Sequence, residues 1–201
     1  MQRRLILMAP LWLAGCGSLL PTQKYVRQVN WPLQPSPPVS NPPNPNGPIL
    51  LVRDLAAGPG LNEQGLRTLR PDGSLDVAYY NRWAVAPADA ATAALTAWAA
   101  ASGAFSAVVN TGTRLTPALI VEGELTEFVA DPTAGQARAV LTLVVIANNP
   151  GPIGKSHPLA QQLITGTAPL HSTDAKAEVV AMQAALANAL GQAVRLLVKF
   201  A

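Results

Sequence analysis

Cysteine is nearly missing from this sequence: Cys16 stands alone among 201 residues. A single thiol excludes an intrachain disulfide and any cysteine-based metal centre. Histidine is almost as scarce. His157 and His171 are the only two, both expected in loops, and no Cys, His or carboxylate cluster has metal-ligand spacing. Charge is sparse as well, at 12% of residues. Of 14 Lys plus Arg, Arg3 and Arg4 belong to the first fifteen residues, which contain no acid, so the remainder balances 12 bases against 11 acids. Nothing in that near-neutral balance argues for nucleic-acid binding, which would want a clustered basic face. Long apolar runs are also lacking. Every stretch after the N-terminus is interrupted by a charge, Gly or Pro before it reaches spanning length.

What the chain does have begins at its N-terminus. Arg3 and Arg4 precede the apolar run Leu5–Leu13, and Leu13-Ala14-Gly15-Cys16 closes it. The run is too short for a mature spanning helix, and the small residues before Cys16 let an extended backbone enter a signal peptidase. Residues 1–15 therefore read as a lipoprotein signal peptide, with Cys16 as the lipidated first residue of the mature chain. Each buried methylene of the acyl chains contributes about 0.8 kcal/mol, so two or three chains anchor almost permanently. In a diderm envelope, aspartate after the lipidated cysteine retains a lipoprotein in the inner membrane. Here that residue is Gly17, with no acid before Asp54, which points to the outer membrane, periplasmic side.

Residues 16–48 are punctuated by nine prolines and read mostly as linker. Within them, 24–29 (KYVRQV) is proline-free and β-favouring, and is either a first strand or part of the tether. From residue 49 to 201 the pattern is that of one globular domain. Strands are expected over Ile49–Leu55 and around Leu66–Leu69, then, after the Pro71-Asp72-Gly73-Ser74 turn, over Leu75–Trp83. Pro87 opens a helix with the stripe Ala91, Leu95 and Trp98, and Gly103 closes it. A strand at Phe105–Val109 follows. Alternation over Leu119–Thr126 and Ala137–Val145 around an Asp131–Gly135 turn predicts a long antiparallel hairpin. One more strand is expected at Gln161–Ala168. Ser172, Thr173 and Asp174 offer caps for a last helix with the buried stripe Val179, Met182, Leu186, Leu190, Ala193 and Leu197. The fold class is α/β: a mixed, largely antiparallel sheet with two long helices packed on it.

Residues arranged for chemistry are few. Gly154-Lys155-Ser156 mimics the end of a phosphate-binding loop, but Asn149 stands where that pattern requires glycine, and Pro152 intrudes. Ser156 and His157 are adjacent in sequence, a poor geometry for nucleophile and base. Glu122 and Glu124 share a strand face whose polarity Thr126 continues, so they read as a solvated surface. Asp131 caps its turn. No catalytic, metal or cofactor-binding residue is assigned, and the chain is expected not to be an enzyme. Tyr79, Tyr80 and Trp83 form the candidate partner-docking surface, although their spacing sends part of the trio into the core.

Several of these pieces occur together in one order: the lipobox, Tyr25, the segment Tyr80-Asn81-Arg82-Trp83-Ala84 before the Pro87 helix, the exit Ser102-Gly103-Ala104-Phe105, and Gly123-Glu124-Leu125-Thr126-Glu127-Phe128. In this the mature chain resembles the ABC-type transport auxiliary lipoprotein family. The resemblance implies a fold similar to the TolB N-terminal domain. It also implies work beside an MCE (mammalian cell entry) domain protein and the ABC permease and ATPase of the same system, moving lipids or other apolar solutes between envelope membranes. The family brings no catalytic residues. Self-association as a homo-oligomer stays open, as do two other readings, an envelope scaffold and a stand-alone periplasmic lipid carrier.

Overall fold

A computed structural model describes residues 25–148 and 155–201. The lipobox with Cys16 lies outside them, as do Lys24 and Asn149–Gly154. Among the described residues, nine strands form one sheet. Its spine is the hairpin of β7 (Leu119–Asp131) and β8 (Gln136–Ala147), extended by β9 (His157–Pro169). Both pairings are antiparallel and run nearly the full strand lengths, from Leu119↔Ala147 to Asp131↔Gln136 and from Gln136↔Pro169 to Ala147↔His157. The turn forms because the Asp131 carboxylate accepts from the Ala134 amide at 2.9 Å.

The opposite edge of β7 is shared by three short parallel strands in succession. β2 (Ile49–Val52) lies against Leu119–Val121, β3 (Ala56–Ala57) against Glu124 and Leu125, and β4 (Gly65–Leu69) against Ala130. Beyond this line the sheet forks into two wings. On one, β2 carries the parallel strand β6 (Ala107–Asn110). On the other, β4 carries β5 (Leu75–Trp83) antiparallel, and β5 carries β1 (Val29–Trp31) in parallel.

The two helices, α1 (Pro87–Ala101) and α2 (Ala175–Val198), lie on one face of the sheet, since they touch each other and both touch β7. Alternation on β8 explains the choice of face. Ala137, Ala139, Leu141, Leu143 and Val145 are fully buried under the helices, while Arg138, Thr142, Val144 and Ile146 on the other side are only half-buried. Asp174 caps α2 by accepting from the Lys176 and Ala177 amides, and the expected stripe from Val179 to Leu197 is entirely buried. Small residues let α2 sit close. A Cβ on Gly166 of β9 would collide with the Ala185 carbonyl and the Ala189 amide of the helix. Neither helix is long and apolar enough to cross a membrane.

Several expectations shift. Of the expected strand 24–29, Lys24 lies outside the described residues and only Val29 among 25–29 is in a strand; β1 starts there and continues to Trp31, whose carbonyl accepts from the Ala84 amide at 2.7 Å. His157 opens β9 instead of lying in a loop, because Pro158 is tolerated on an edge strand at a register shift opposite Val145 and Ile146. The strand after α1 starts at Ala107, with Phe105 buried ahead of it. β3 was not foreseen, since two residues carry no periodicity.

The proline-rich residues 32–48, expected as linker, are extended but fastened down. The Trp98 indole donates to the Pro35 carbonyl at 2.7 Å, Gln183 of α2 reaches the Pro32 carbonyl at 3.0 Å, and the Asn41 amide donates to Ala101 at 2.9 Å. Leu33 is buried beneath this strap. Gly103 has a positive φ of 73° and ends α1; a Cβ there would meet Asn41 Cβ at 2.6 Å, so the strap also requires the glycine.

Candidate functional site

The wing built from β4, β5 and β1 carries the residues singled out as a docking surface. The turn ahead of β5 is set by Asp72, whose carboxylate accepts from both the hydroxyl and the amide of Ser74 at 2.6 and 2.9 Å. Those bonds hold its carboxyl below the usual range. Pairing of β4 with β5 is regular from Leu69↔Leu75 to Arg67↔Val77, then jumps to Gly65↔Arg82. Between the two registers β5 arches outward through Ala78–Asn81, with Gly65 under the arch.

The arch divides the aromatic trio. Tyr79 is 77% and Tyr80 43% exposed, their rings edge to face with centroids 5.0 Å apart. Trp83, at the foot of the arch, is 1% exposed and packs on Phe128 at 5.5 Å, while its backbone N–H donates to the Gln64 carbonyl. The structure therefore leaves Tyr79 and Tyr80 as surface and makes Trp83 core. Leu75 and Val77, both more than 40% exposed, extend the apolar surface along the strand. Among the described residues, neither helix covers the side that faces Leu69 and Leu75. There a cleft of about 370 Å³ opens between Pro59, Leu61, Leu69, Leu75, Phe128 and Val129, rimmed by Arg67 and Arg138. Arg138 is paired with Glu127 and lies near Asp131.

Behind the wing, α2 adds a residue that sequence reading passed over. Glu178 is 8% exposed and accepts from the Thr68 hydroxyl of β4 at 3.0 Å. Burial pushes its carboxyl above the usual range, Asp76 and Asp174 push the same way, and the Thr68 bond opposes them. The signal was present, since Glu178, Met182 and Leu186 are spaced by four and share the buried face. A raised folded-state value means that the native protein holds this proton more tightly than the unfolded chain. This contribution to stability is complete below the unfolded value and is lost as pH rises through the folded one. Glu178→Gln keeps an acceptor for Thr68 and removes the charge. It should raise Tm by a few degrees at pH 7 and lose that gain toward about pH 4, as followed by thermal melts across pH.

The remaining candidates do not converge. Ser156 donates to Asn148 at 3.1 Å, not to His157, and both histidines are exposed. Glu122 pairs with Arg53 at 2.9 Å on the helix-free side of the sheet. Asp131 is buried and serves its turn. Among the described residues no group of three His, Cys, Asp or Glu side chains could hold a metal ion.

Comparison with known families then decides the assignment: the family model described as ABC-type transport auxiliary lipoprotein component matches residues 31–194. The chain belongs to this family. It is thus an auxiliary component of ABC-type transport and a lipoprotein, held at a membrane of the cell envelope. The match begins at Trp31, so the strap is part of the family's domain. Solved structures agree on the fold. A protein from Xanthomonas campestris assigned to DUF330, which belongs to the same family, superposes with a TM-score of 0.66 at 21% identity, covering 85% of this chain and 97% of its own. An uncharacterised protein gives 0.63 at 14% identity over 86% and 99%. A hypothetical protein from Chlamydia trachomatis gives 0.51 at 10% identity over 77% and 97%. None of the curated proteins compared with the chain matches it.

Proposed function

We propose that this lipoprotein is a non-enzymatic partner of an MCE-domain protein and its ABC permease and ATPase, assisting the movement of lipids or other apolar solutes. In this reading Cys16 is lipidated and holds the domain on the periplasmic side of the outer membrane, where it meets an assembly rising from the inner one. The family match carries the proposal. One observation supports its docking role: the exposed apolar run Leu75, Val77, Tyr79 and Tyr80. The cleft of about 370 Å³ and others of up to about 540 Å³ on the described surface are open to solvent rather than enclosed, which favours an auxiliary over a stand-alone lipid carrier.

The test is affinity purification of the anchored protein from detergent-solubilised envelopes, with the retained proteins identified. An MCE-domain protein with its permease and ATPase is the expected catch. The double variant Tyr79→Ala/Tyr80→Ala should melt like the parent and retain at least tenfold less partner. Recovery without any such transporter defeats the proposal, and stoichiometric binding of fluorescent phospholipid by the delipidated protein would establish the carrier instead.

A further inference from the structure

The outer edge of β5 is only part-filled. β1 covers Asn81, Arg82 and Trp83 in parallel register, whereas Leu75–Tyr80 has no strand on that side among the described residues. Such an edge presents unpaired amides and carbonyls beside exposed Val77, Tyr79 and Tyr80, a ready template for another strand. The residues that precede β1 stand next to it. Continued back by the same register, Gln28 falls opposite Tyr80, Arg27 opposite Tyr79, Val26 opposite Ala78 and Tyr25 opposite Val77.

We propose that this free edge is the docking site of the chain's own Tyr25–Gln28 segment, which zips onto β5 as an extension of β1. Aligned residues of a parallel pair share a face, so docking sets Tyr25, 86% exposed in the structure, beside Val77. It also sets the Arg27 guanidinium beside the Tyr79 ring, a cation–π pairing. Composition favours it, as Tyr25 and Val26 are good strand formers without an intervening proline. The contact is already begun. Gln28 donates its side-chain amide to the Tyr79 carbonyl at 3.3 Å, so the segment lies at the edge with a side chain where a backbone amide would pair. Four pairs make a short ladder, which keeps docking reversible. If Cys16 is the anchor, docking moves the start of the sheet from thirteen residues to nine residues away from it, which lowers the greatest possible reach from about 45 Å to about 30 Å.

Paired cysteines in the membrane-anchored protein test this, because acylation leaves Cys16 without a free thiol. Under mild oxidation, Val26→Cys/Ala78→Cys should close to an intramolecular disulfide at least tenfold faster than the offset pair Val26→Cys/Tyr80→Cys. In parallel, the outward-facing amides of Leu75–Tyr80 should exchange at least tenfold more slowly in the parent than in Val26→Pro. Equal closure rates for the two pairs, or exchange unaffected by Val26→Pro, overturn the proposal. Disulfide-linked dimers would overturn it too, giving the edge to a second copy, as would exchange protection appearing only with a transporter partner present.

Discussion

Trp83→Ala should lower the unfolding free energy by about 3–5 kcal/mol, the usual cost of truncating a buried aromatic. The indole is 1% exposed, stacked on Phe128, and stands where the β4–β5–β1 wing joins the spine of the sheet. Its loss empties a space that rigid strands on both sides cannot collapse to fill. A domain of this size holds only about 5–15 kcal/mol in total, so the variant should retain little margin at 37 °C. Urea unfolding followed by circular dichroism measures the change. Tyr79→Ala and Tyr80→Ala, four and three positions earlier in the same strand, should each stay within about 0.5 kcal/mol because little packing is lost. A Trp83 variant as stable as these would mean that the wing is not held through this contact.

Cys16→Ala should move the protein wholly from the membrane pellet to the soluble periplasm. Two or three acyl chains, at about 0.8 kcal/mol for each buried methylene, are the whole of the expected attachment, and alanine cannot accept them. Among the described residues neither helix offers a spanning alternative. Fractionation in carbonate, followed by separation of the two membranes on a density gradient, reads both halves of the anchoring argument. Carbonate-resistant association of the alanine variant would defeat it. Anchored parent that sediments with the inner membrane, and that Gly17→Asp leaves in place, would defeat the outer-membrane assignment alone.

Elements whose cause is local were legible in the sequence. The Asp131–Gly135 turn with alternation on both flanks gave the β7–β8 hairpin, and the 3-and-4 stepping from Val179 to Leu197 gave α2 and its buried face. What could not be read was caused from a distance. Proline content describes residues 32–48 as extended, but only Trp98, Asn41 and Gln183 turn an extended segment into a packed strap. β3 exists because β7 offers it an edge, not because two alanines prefer a strand. For the aromatic trio, spacing sends part of it into the core, and simple alternation would set Tyr79 and Trp83 on one side of the strand and Tyr80 on the other. The arch overruled that by changing register between Val77 and Arg82, which put the division between the tyrosines and the tryptophan.

The strap also fixes an order of events during synthesis. Its clasps join Pro35 to a residue 63 positions later, Asn41 to one 60 later, and Pro32 to one 151 later. The first part of the domain to leave the ribosome is thus the last to find all its partners, since Gln183 lies within the final twenty residues. Until then the segment Trp31–Pro48 lacks its last clasp, and proline keeps it from collapsing into a helix of its own while it waits. If the chain is exported and lipidated at Cys16 as proposed, its earliest residues are kept accessible for that processing by its own connectivity.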